Sequence, residues 1–408
     1  MTNVAIIGAG AAGCFCAANL KRLRRDWAIT VYEANRRPLA KVSVSGGGRC
    51  NLSNTFEDIS LEKAYPRGHR LMKRLLAAFG PKECREWFTS RGVDLETETG
   101  GRIFPRSQRA SSVTEALLGE IDFYGADIQC GFRLTAIIPN KGKFTLHFDG
   151  KPSVTADKVV VTVGGLSTAR TSKIFDGLGI SLEKPVPSLF TLKTDSPVTC
   201  LFGMSVPNVR LRLTGTKYSC EGPLLITDWG FSGPAVLKLS SYGARYLAEN
   251  RYEAVLSVCW LPEASEQDIR EMIAGYIKEH PAKSVASVHP AHIPSRLWNF
   301  IVDRAGIDKD ARYSSLDDRA VSRLCSKLLD TGFDITGRAR FKDEFVTCGG
   351  VSLSEINPST LESKTHKGLY FAGEVLDIDA ITGGFNLQAA WSSGYCAAAA
   401  IASSEKQN

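Results

Sequence analysis

The glycine turn near the amino terminus restricts the fold of this chain more than any other feature. An apolar strand-like run leads into G-x-G-x-x-G at Gly8, Gly10 and Gly13, and a helical segment follows. A second strand-like run then ends in Glu33, twenty residues after Gly13. The glycine pattern alone is weak evidence, but strand, turn, helix and distant acid together are typical of a dinucleotide-binding βαβ unit. The sequence therefore predicts an α/β protein with a Rossmann-like domain.

Each residue of this motif has a physical role. Gly8 allows a tight turn, Gly10 lets the backbone approach a pyrophosphate, and Gly13 lets the helix pack closely on the sheet. The free N–H groups at the helix start then face the phosphates. Glu33 is expected to accept hydrogen bonds from a ribose, and its charge disfavours the extra phosphate of NADP. This stretch by itself does not distinguish FAD from NAD.

Composition indicates a globular protein without special surface chemistry. The chain has 408 residues, enough for two or three domains, and 43% hydrophobic with 23% charged residues is ordinary for a globular protein. The net charge of +7 is spread out except at residues 21–25. That basic cluster ends the first predicted helix, where cations complement the helix dipole. We therefore do not expect a nucleic-acid partner.

Cysteine usage and the absence of an apolar leader predict the compartment. The eleven cysteines include no C-x-x-C pair, so free thiols in a reducing cytoplasm are expected. The first residues lead directly into a strand and lack the basic leader of a signal peptide. No apolar run approaches the roughly 20 residues that a membrane span needs. The sequence predicts a cytoplasmic protein that has no membrane partner.

The pattern of predicted strands and helices changes twice along the chain. An almost wholly apolar run at 158–163 precedes Gly164 and Gly165 and is typical of a parallel strand covered on both faces. From residue 188 strand-like pieces come first and helical ones follow, which indicates an inserted domain. We predict a first nucleotide-binding segment at 1–187, a β-rich insertion at 188–262, a helical insertion at 263–333 and a second nucleotide-binding segment at 334–408.

The carboxy-terminal segment favours FAD over NAD. A short apolar strand runs into Gly373 and Glu374, and a helix begins at Gly384. In flavoproteins of the two-dinucleotide type, such a glycine and acid contact the ribityl chain, and the next helix points its N-terminus at the flavin. Reduced flavin carries negative charge, which a helix N-terminus stabilises. We therefore expect FAD.

Five blocks of sequence resemble a known family. They are residues 46–51 (GGGRCN), 101–105 (GRIFP), 349–352 (GGVS), 373–377 (GEVLD) and 383–388 (GGFNLQ). These blocks are similar to the bacterial YhiN-like family, whose members are often described as aminoacetone-oxidase-like FAD-binding proteins. The resemblance covers nearly the whole chain. It implies an FAD domain in two segments with an inserted β-barrel-like part and a helical part.

The motifs and this resemblance together predict which residues contact the cofactor. These residues are Gly8, Gly10, Ala11, Ala12, Gly13, Glu33, Ala34, Lys41, Ser45, Gly46, Gly47, Gly48, Arg49, Cys50, Asn51, Leu134, Gly164, Gly165, Gly373, Glu374, Gly384, Phe385, Asn386 and Leu387.

Two of these side chains have alternative interpretations. The guanidinium of Arg49 can bond phosphate or flavin carbonyls bidentately, and the alternative is an ordinary surface arginine. Cys50 lies beside the predicted flavin, but disulfide reductases need a second nearby cysteine, and the sequence has none. A single thiol packed against FAD is the preferred interpretation.

No catalytic residue can be assigned from the sequence. It contains no Ser/His/Asp or paired-carboxylate pattern, which is expected if FAD carries the chemistry. His289 and His292 have a ligand-like interval, but a proline separates them and no acid or thiol is near, so no metal site is predicted. Tyr370, Asp377 and Asp379 lie near the predicted site, and core or turn roles explain them equally well.

These observations predict an FAD-dependent oxidoreductase that exchanges a hydride between a small organic substrate and flavin N5. An amine oxidase-like activity is one form of this prediction. The alternatives are a reductase of an unsaturated substrate, with NAD(P)H as a transient electron donor, and a flavin-containing protein that modifies or binds RNA. The sequence does not determine the oligomeric state.

Overall fold

The computed structural model describes residues 1–339 and 346–404. The chain forms two compact units. The first contains Met1–Pro187 and the chain from Val346 onward, and the second begins at Ser188. Two distant stretches of sequence therefore build the first unit, which contains every predicted cofactor contact.

The described residues form β-strands and α-helices with the following bounds. The strands are β1 Asn3–Ile7, β2 Ala28–Glu33, β3 Ser53–Asn54, β4 Leu95–Glu98, β5 Arg102–Pro105, β6 Asp127–Cys130, β7 Leu134–Asn140, β8 Lys143–Phe148, β9 Lys151–Ala156, β10 Lys158–Val161, β11 Leu182–Ser188, β12 Leu192–Lys193, β13 Ser205–Leu213, β14 Ser219–Thr227, β15 Gly230–Ser232, β16 Ala254–Cys259, β17 Thr331–Ile335, β18 Gly337–Arg338, β19 Val346–Val351 and β20 Leu369–Phe371. The helices are α1 Ala11–Leu23, α2 Ala40–Val44, α3 Leu61–Ala64, α4 His69–Ala78, α5 Pro81–Thr89, α6 Ala110–Tyr124, α7 Ala169–Ser172, α8 Pro234–Tyr242, α9 Ala244–Glu249, α10 Glu266–Glu279, α11 Ser295–Arg304, α12 Asp318–Leu329 and α13 Phe385–Ser403.

A parallel sheet forms the centre of the first unit. Its strand order is β20-β10-β1-β2-β6, and all four strand pairs are parallel. The apolar residues of β1 and β10 are almost fully buried, as expected for parallel strands covered on both faces. The predicted α/β Rossmann-like fold is confirmed. Because the strands are parallel, their carboxyl ends lie on the same side of this sheet. Gly8 follows β1, Glu33 ends β2 and Thr162 follows β10, so all three residues lie at these carboxyl ends.

Helices α1 and α13 pack against each other in the first unit. Small residues allow the close approach, since a Cβ added at Gly394 would lie 2.6 Å from the carbonyl oxygen of Ala12. Helix α13 is buried along most of its length. Within the described part of the chain, no helix is long and apolar enough to cross a membrane.

The second unit is built on an antiparallel sheet with the order β17-β16-β13-β14-β15-β12-β18. Helices α10, α11 and α12 pack on the same hydrophobic core as these strands, through buried residues such as Ile269, Trp298 and Leu324. The strands and helices of the insertion therefore share one core.

Candidate functional site

The first glycine turn lies between β1 and α1. Gly8 has a φ of +107°, and a Cβ added there would lie 2.5 Å from the carbonyl oxygen of Thr162. A Cβ at Gly13 would lie 1.9 Å from the carbonyl oxygen of Gly8. At Gly10 an added Cβ would meet no atom of the described residues within 4 Å, and Gly10, as the N-cap residue, has no side chain to cap α1. The turn thus leaves open space before bare helix N–H groups, which suits a pyrophosphate.

Glu33 orders this turn through its buried carboxylate. Oε2 accepts a hydrogen bond from Ala9 N at 2.8 Å, and Oε1 accepts from Asn35 N at 2.8 Å and Asn35 Nδ2 at 2.7 Å. Since an ionised carboxylate has about four lone-pair sites, at least one site remains for a ribose hydroxyl. Ala34 lies between these partners. The segment that leads to Leu134 runs alongside, because Phe132 N donates to Glu33 O at 2.8 Å.

Glu374 joins three distant segments of the first unit. Its Oε1 accepts from Thr347 N at 2.8 Å, and its Oε2 lies 3.4 Å from Lys41 Nζ. A Cβ added at Gly165 would lie 2.9 Å from Glu374 Oε1, and one added at Gly164 would lie 3.7 Å from Oε2. The structure therefore brings these four predicted site residues together.

Gly373 links this group to the first glycine turn. It has a φ of +79°, and an added Cβ would lie 2.8 Å from the Cβ of Ala12 in α1. Its N–H donates to Ser393 Oγ at 2.8 Å. Ala11 is the first residue of α1. The two predicted halves of the cofactor site therefore meet at the start of α1.

The start of α13 is packed against β3. Gly384 has a φ of +91°, and an added Cβ would lie 2.2 Å from Ser53 O. With its amide oriented to satisfy both neighbours, Asn51 accepts from Gly384 N at 3.1 Å and donates to Ser53 O at 3.2 Å. Phe385 O accepts from Tyr65 OH at 2.8 Å. This packing fixes where the helix begins.

Asn386 holds the loop that precedes α13. Its Oδ1 accepts from Ala380 N at 3.0 Å, and its Nδ2 donates to Ala380 O at 3.0 Å. The side chain of Asn386 is therefore bonded within the protein. Leu387 is half-buried.

The second glycine turn follows α2. Gly46, Gly47 and Gly48 have φ values of +57°, +70° and +83°. Ser45 Oγ donates to Val42 O at 2.8 Å, and Ser45 O accepts from Cys50 N at 2.9 Å. The turn is thus closed by its own hydrogen bonds.

Arg49 bonds protein groups in this structure. Its Nη1 donates to Glu98 Oε1 and to Gln108 Oε1, each at 2.9 Å. Its guanidinium stacks on Phe104, 4.2 Å from the ring centroid. These contacts hold Arg49 beside β4 and β5. Its contact with a phosphate or with the flavin stays a prediction.

Cys50 is buried directly after the second turn. Burial raises the pKa of its thiol to about 12, so the thiol stays neutral at physiological pH and is not a reactive thiolate. The eleven cysteines are all free.

Some residues that hold the site were not identified from the sequence. Thr162 Oγ1 donates to the carbonyl oxygens of Ile7 and Gly8, both at 2.9 Å. Asn35, Thr347 and Ser393 hold other parts of it, and no local motif marks any of them. Within the described ranges no group of three or more His, Cys, Asp or Glu side chains could hold a metal ion, and His289 bonds Ser295 Oγ at 2.8 Å.

Comparison with known proteins places this geometry in a family. The HI0933-like protein Rossmann domain matches residues 2–400. The chain is 30% identical to a 3-dehydro-bile acid delta(4,6)-reductase of Clostridium scindens, over 98% of this chain and 99% of that protein. It is 29% identical to a ribosomal RNA dihydrouridine synthase of Escherichia coli, over 96% of each chain.

A solved structure has the same fold. The 3-ketosteroid delta1-dehydrogenase of Sterolibacterium denitrificans aligns with a TM-score of 0.52 at 12% identity, covering 99% of this chain and 100% of that one. The resemblance seen in the sequence blocks is confirmed by the family match over residues 2–400. The chain belongs to the HI0933-like Rossmann-domain family of flavin-dependent oxidoreductases.

Proposed function

We propose that FAD is the cofactor and that it lies across the carboxyl ends of the strands of the parallel sheet. The observation that carries this proposal is the open space at Gly10, where the protein itself does not require glycine. Glu33 retains a site for a ribose hydroxyl, and Gly373 joins the adenosine half to the half near Glu374. The sequence-predicted contacts are proposed here as the FAD-binding residues.

The chain's own groups support an anionic cofactor. The N-cap residues of α1 and α13 are Gly10 and Gly384, which have no side chain to cap the helix. The N–H groups of a helix start favour negative charge there by roughly 0.3 to 1 kcal/mol. When bound, FAD supplies reversible two-electron chemistry at its ring system. The protein contributes binding, orientation and electrostatics.

For the reaction, we propose reduction of a carbon–carbon double bond conjugated with a carbonyl. NAD(P)H supplies the hydride, a proton completes the saturation, and NAD(P)⁺ is released. The names of the two relatives support this chemistry, because a delta(4,6)-reductase and a dihydrouridine synthase each describe saturation of a ring double bond. Neither name describes amine oxidation, so we favour the reductase over the amine oxidase.

A second candidate places the double bond in a uracil base of RNA. Between residues 63 and 82 there are six Lys or Arg residues and no Asp or Glu. Arg70, Lys73 and Arg74 are exposed on α4. Helix α4 begins after Gly68, where an added Cβ would lie 2.6 Å from Ile378 Cγ1. Ile378 lies between the predicted flavin contacts Glu374 and Gly384. A helix without acidic residues beside this segment suits a phosphate backbone.

Spectroscopy of the purified protein tests the reaction. We expect a bound-flavin spectrum, bleaching by NADH or NADPH without oxygen, and recovery of colour on adding a conjugated steroid dienone or a uridine-containing RNA. Bleaching by neither nucleotide would contradict the reductase. Reduction by a small amine, with reoxidation by oxygen only, would favour the amine oxidase.

Salt titration separates the RNA candidate from the small-molecule one. We expect the triple variant R70Q/K73Q/R74Q to reduce the slope of log K for RNA against log salt by about 2, since each lost phosphate contact contributes roughly 0.7. The control R22Q/K141Q/K151Q removes three other exposed cations. Equal slopes for the two variants would eliminate α4 as the RNA-binding surface.

A further inference from the structure

We propose that a buried ion pair between Arg67 and Asp379 positions the loop that carries the flavin half of the site. The proposal rests on the FAD site proposed above. It assigns Arg67 and Asp379 as positioning residues that act through the backbone of residues 377–384, a role that the sequence did not distinguish from an ordinary turn.

The pair has bidentate geometry in a buried setting. Arg67 Nε donates to Asp379 Oδ1 at 2.5 Å, and Arg67 Nη2 donates to Asp379 Oδ2. The Asp379 side chain is 0% exposed and that of Arg67 is 12% exposed. The two backbones also form an antiparallel bridge. The planar guanidinium fork matches a carboxylate in a way that a lysine cannot.

Stability alone does not account for such a pair. Desolvating two charges costs about as much as their attraction returns, and apolar replacements of similar volume are often neutral or stabilising. A buried pair does specify geometry, because each partner must remain opposite the other.

Asp379 lies on the loop that joins the two predicted flavin contacts, Glu374 and Gly384. Arg67 holds this loop at Asp379, and Asn386 holds the next residue, Ala380, by bonds to its N–H and its carbonyl oxygen. These contacts fix the middle of the loop.

The two ends of the loop are fixed as well. Asn54 Nδ2 donates to Gly383 O at 3.0 Å, and Asp377 N donates to Val351 O at 3.0 Å. Among these four contacts, the Arg67–Asp379 pair is the one that joins a positively charged side chain to a negatively charged one. Its loss is expected to loosen the loop at Asp379, while the bonds between Asn386 and Ala380 and both ends of the loop stay in place.

The test measures FAD binding and flavin potential together with folding. In R67K the charge remains but the fork is lost, and in D379N the shape remains but the charge is lost. We expect each variant to bind FAD about tenfold more weakly and to show a shifted flavin reduction potential and absorbance spectrum. The matched control is R319K, at an exposed arginine of α12, which should leave all three properties unchanged.

A double variant keeps the test decisive if single variants fail to fold. R67M/D379L replaces the pair by apolar side chains, which is expected to preserve folding while leaving the loop without its bidentate tie. A wild-type potential and FAD affinity in this folded variant would overturn the proposal. Wild-type protein that binds no FAD would instead refute the proposed FAD site itself, so the two failures are distinguishable.

Discussion

The two glycine turns of the first unit have similar composition and different physical causes. In the turn from Gly8 to Gly13, two glycines are required because a Cβ would lie within 2.5 Å of backbone oxygen. In the turn from Ser45 to Gly48, added Cβ atoms at Gly47 and Gly48 would meet nothing within 4 Å. There glycine is favoured by positive φ alone. The first turn is thus part of the packing of the sheet, whereas a side chain at Gly47 or Gly48 would meet no atom of the described residues.

This difference separates three uses of glycine. Gly8 and Gly13 serve packing, Gly47 and Gly48 serve backbone conformation, and Gly10 serves neither. Gly10 has a φ of −82° and a ψ of −167°, which any residue adopts. Its use must therefore come from something outside the protein, which we propose is the cofactor. Substitutions at these positions should separate the three uses.

The largest effect is expected for Gly13→Ala. The new methyl would overlap the carbonyl oxygen of Gly8, so we expect a loss of about 3 kcal/mol or more in the free energy of unfolding. Urea unfolding followed by circular dichroism measures it. A variant within 1 kcal/mol of wild type, on the scale of ordinary surface substitutions at about 0.5 kcal/mol, would contradict the packing role.

Glu33→Gln should have the next largest effect. The charge-assisted bonds to Ala9 and Asn35 weaken, and the ribose site loses its charge, so FAD affinity should fall about ten- to a hundredfold. Titration of the apoprotein with FAD measures this. The control is Asp26→Asn, at an exposed carboxylate. Unchanged FAD retention would remove Glu33 from the proposed site.

Gly10→Ala should separate cofactor binding from folding. We expect the free energy of unfolding of the apoprotein to stay within about 0.5 kcal/mol of wild type. FAD affinity should fall by about tenfold, or 1.4 kcal/mol, because the methyl enters the space proposed for the pyrophosphate. If the apoprotein loses as much stability as in Gly13→Ala, Gly10 is required for packing in the same way as Gly13. That result would contradict a role of Gly10 in cofactor binding alone.

Gly47→Ala should have the smallest effect. Its cost is the left-handed conformation alone, about 1 kcal/mol in the free energy of unfolding. Gly47→Asn should cost less, since asparagine tolerates that conformation. An equal loss of stability for the alanine and asparagine variants in thermal unfolding would mean that steric contacts of the new side chain, rather than the positive φ, cause the destabilisation.

Local sequence was enough to predict the central fold. The turn at Gly8, the acid at Glu33 and the apolar run before Gly164 each carry a short-range signal of strand, turn or helix. The carboxy-terminal strand and helix added Gly373 and Gly384 as flavin contacts, which stay predictions. The fold prediction succeeded because glycine spacing and strand apolarity are local consequences of the backbone geometry.

Pairings over long distances were not predictable in this way. The partners that Arg49 bonds, Glu98 and Gln108, lie 49 and 59 positions further along the chain. The link between Lys41 and Glu374 spans 333 positions. No single-sequence pattern specifies which charged groups meet when each has several partners of suitable chemistry.

The sequence by itself determined the α/β class, the place of the first glycine turn and the family, because these depend on residue types at short spacing. Only the tertiary structure decided which glycines serve packing, where Arg49 lies, and that Asp379 is a buried partner of Arg67. Those properties depend on atoms that folding brings together from segments 312 residues apart.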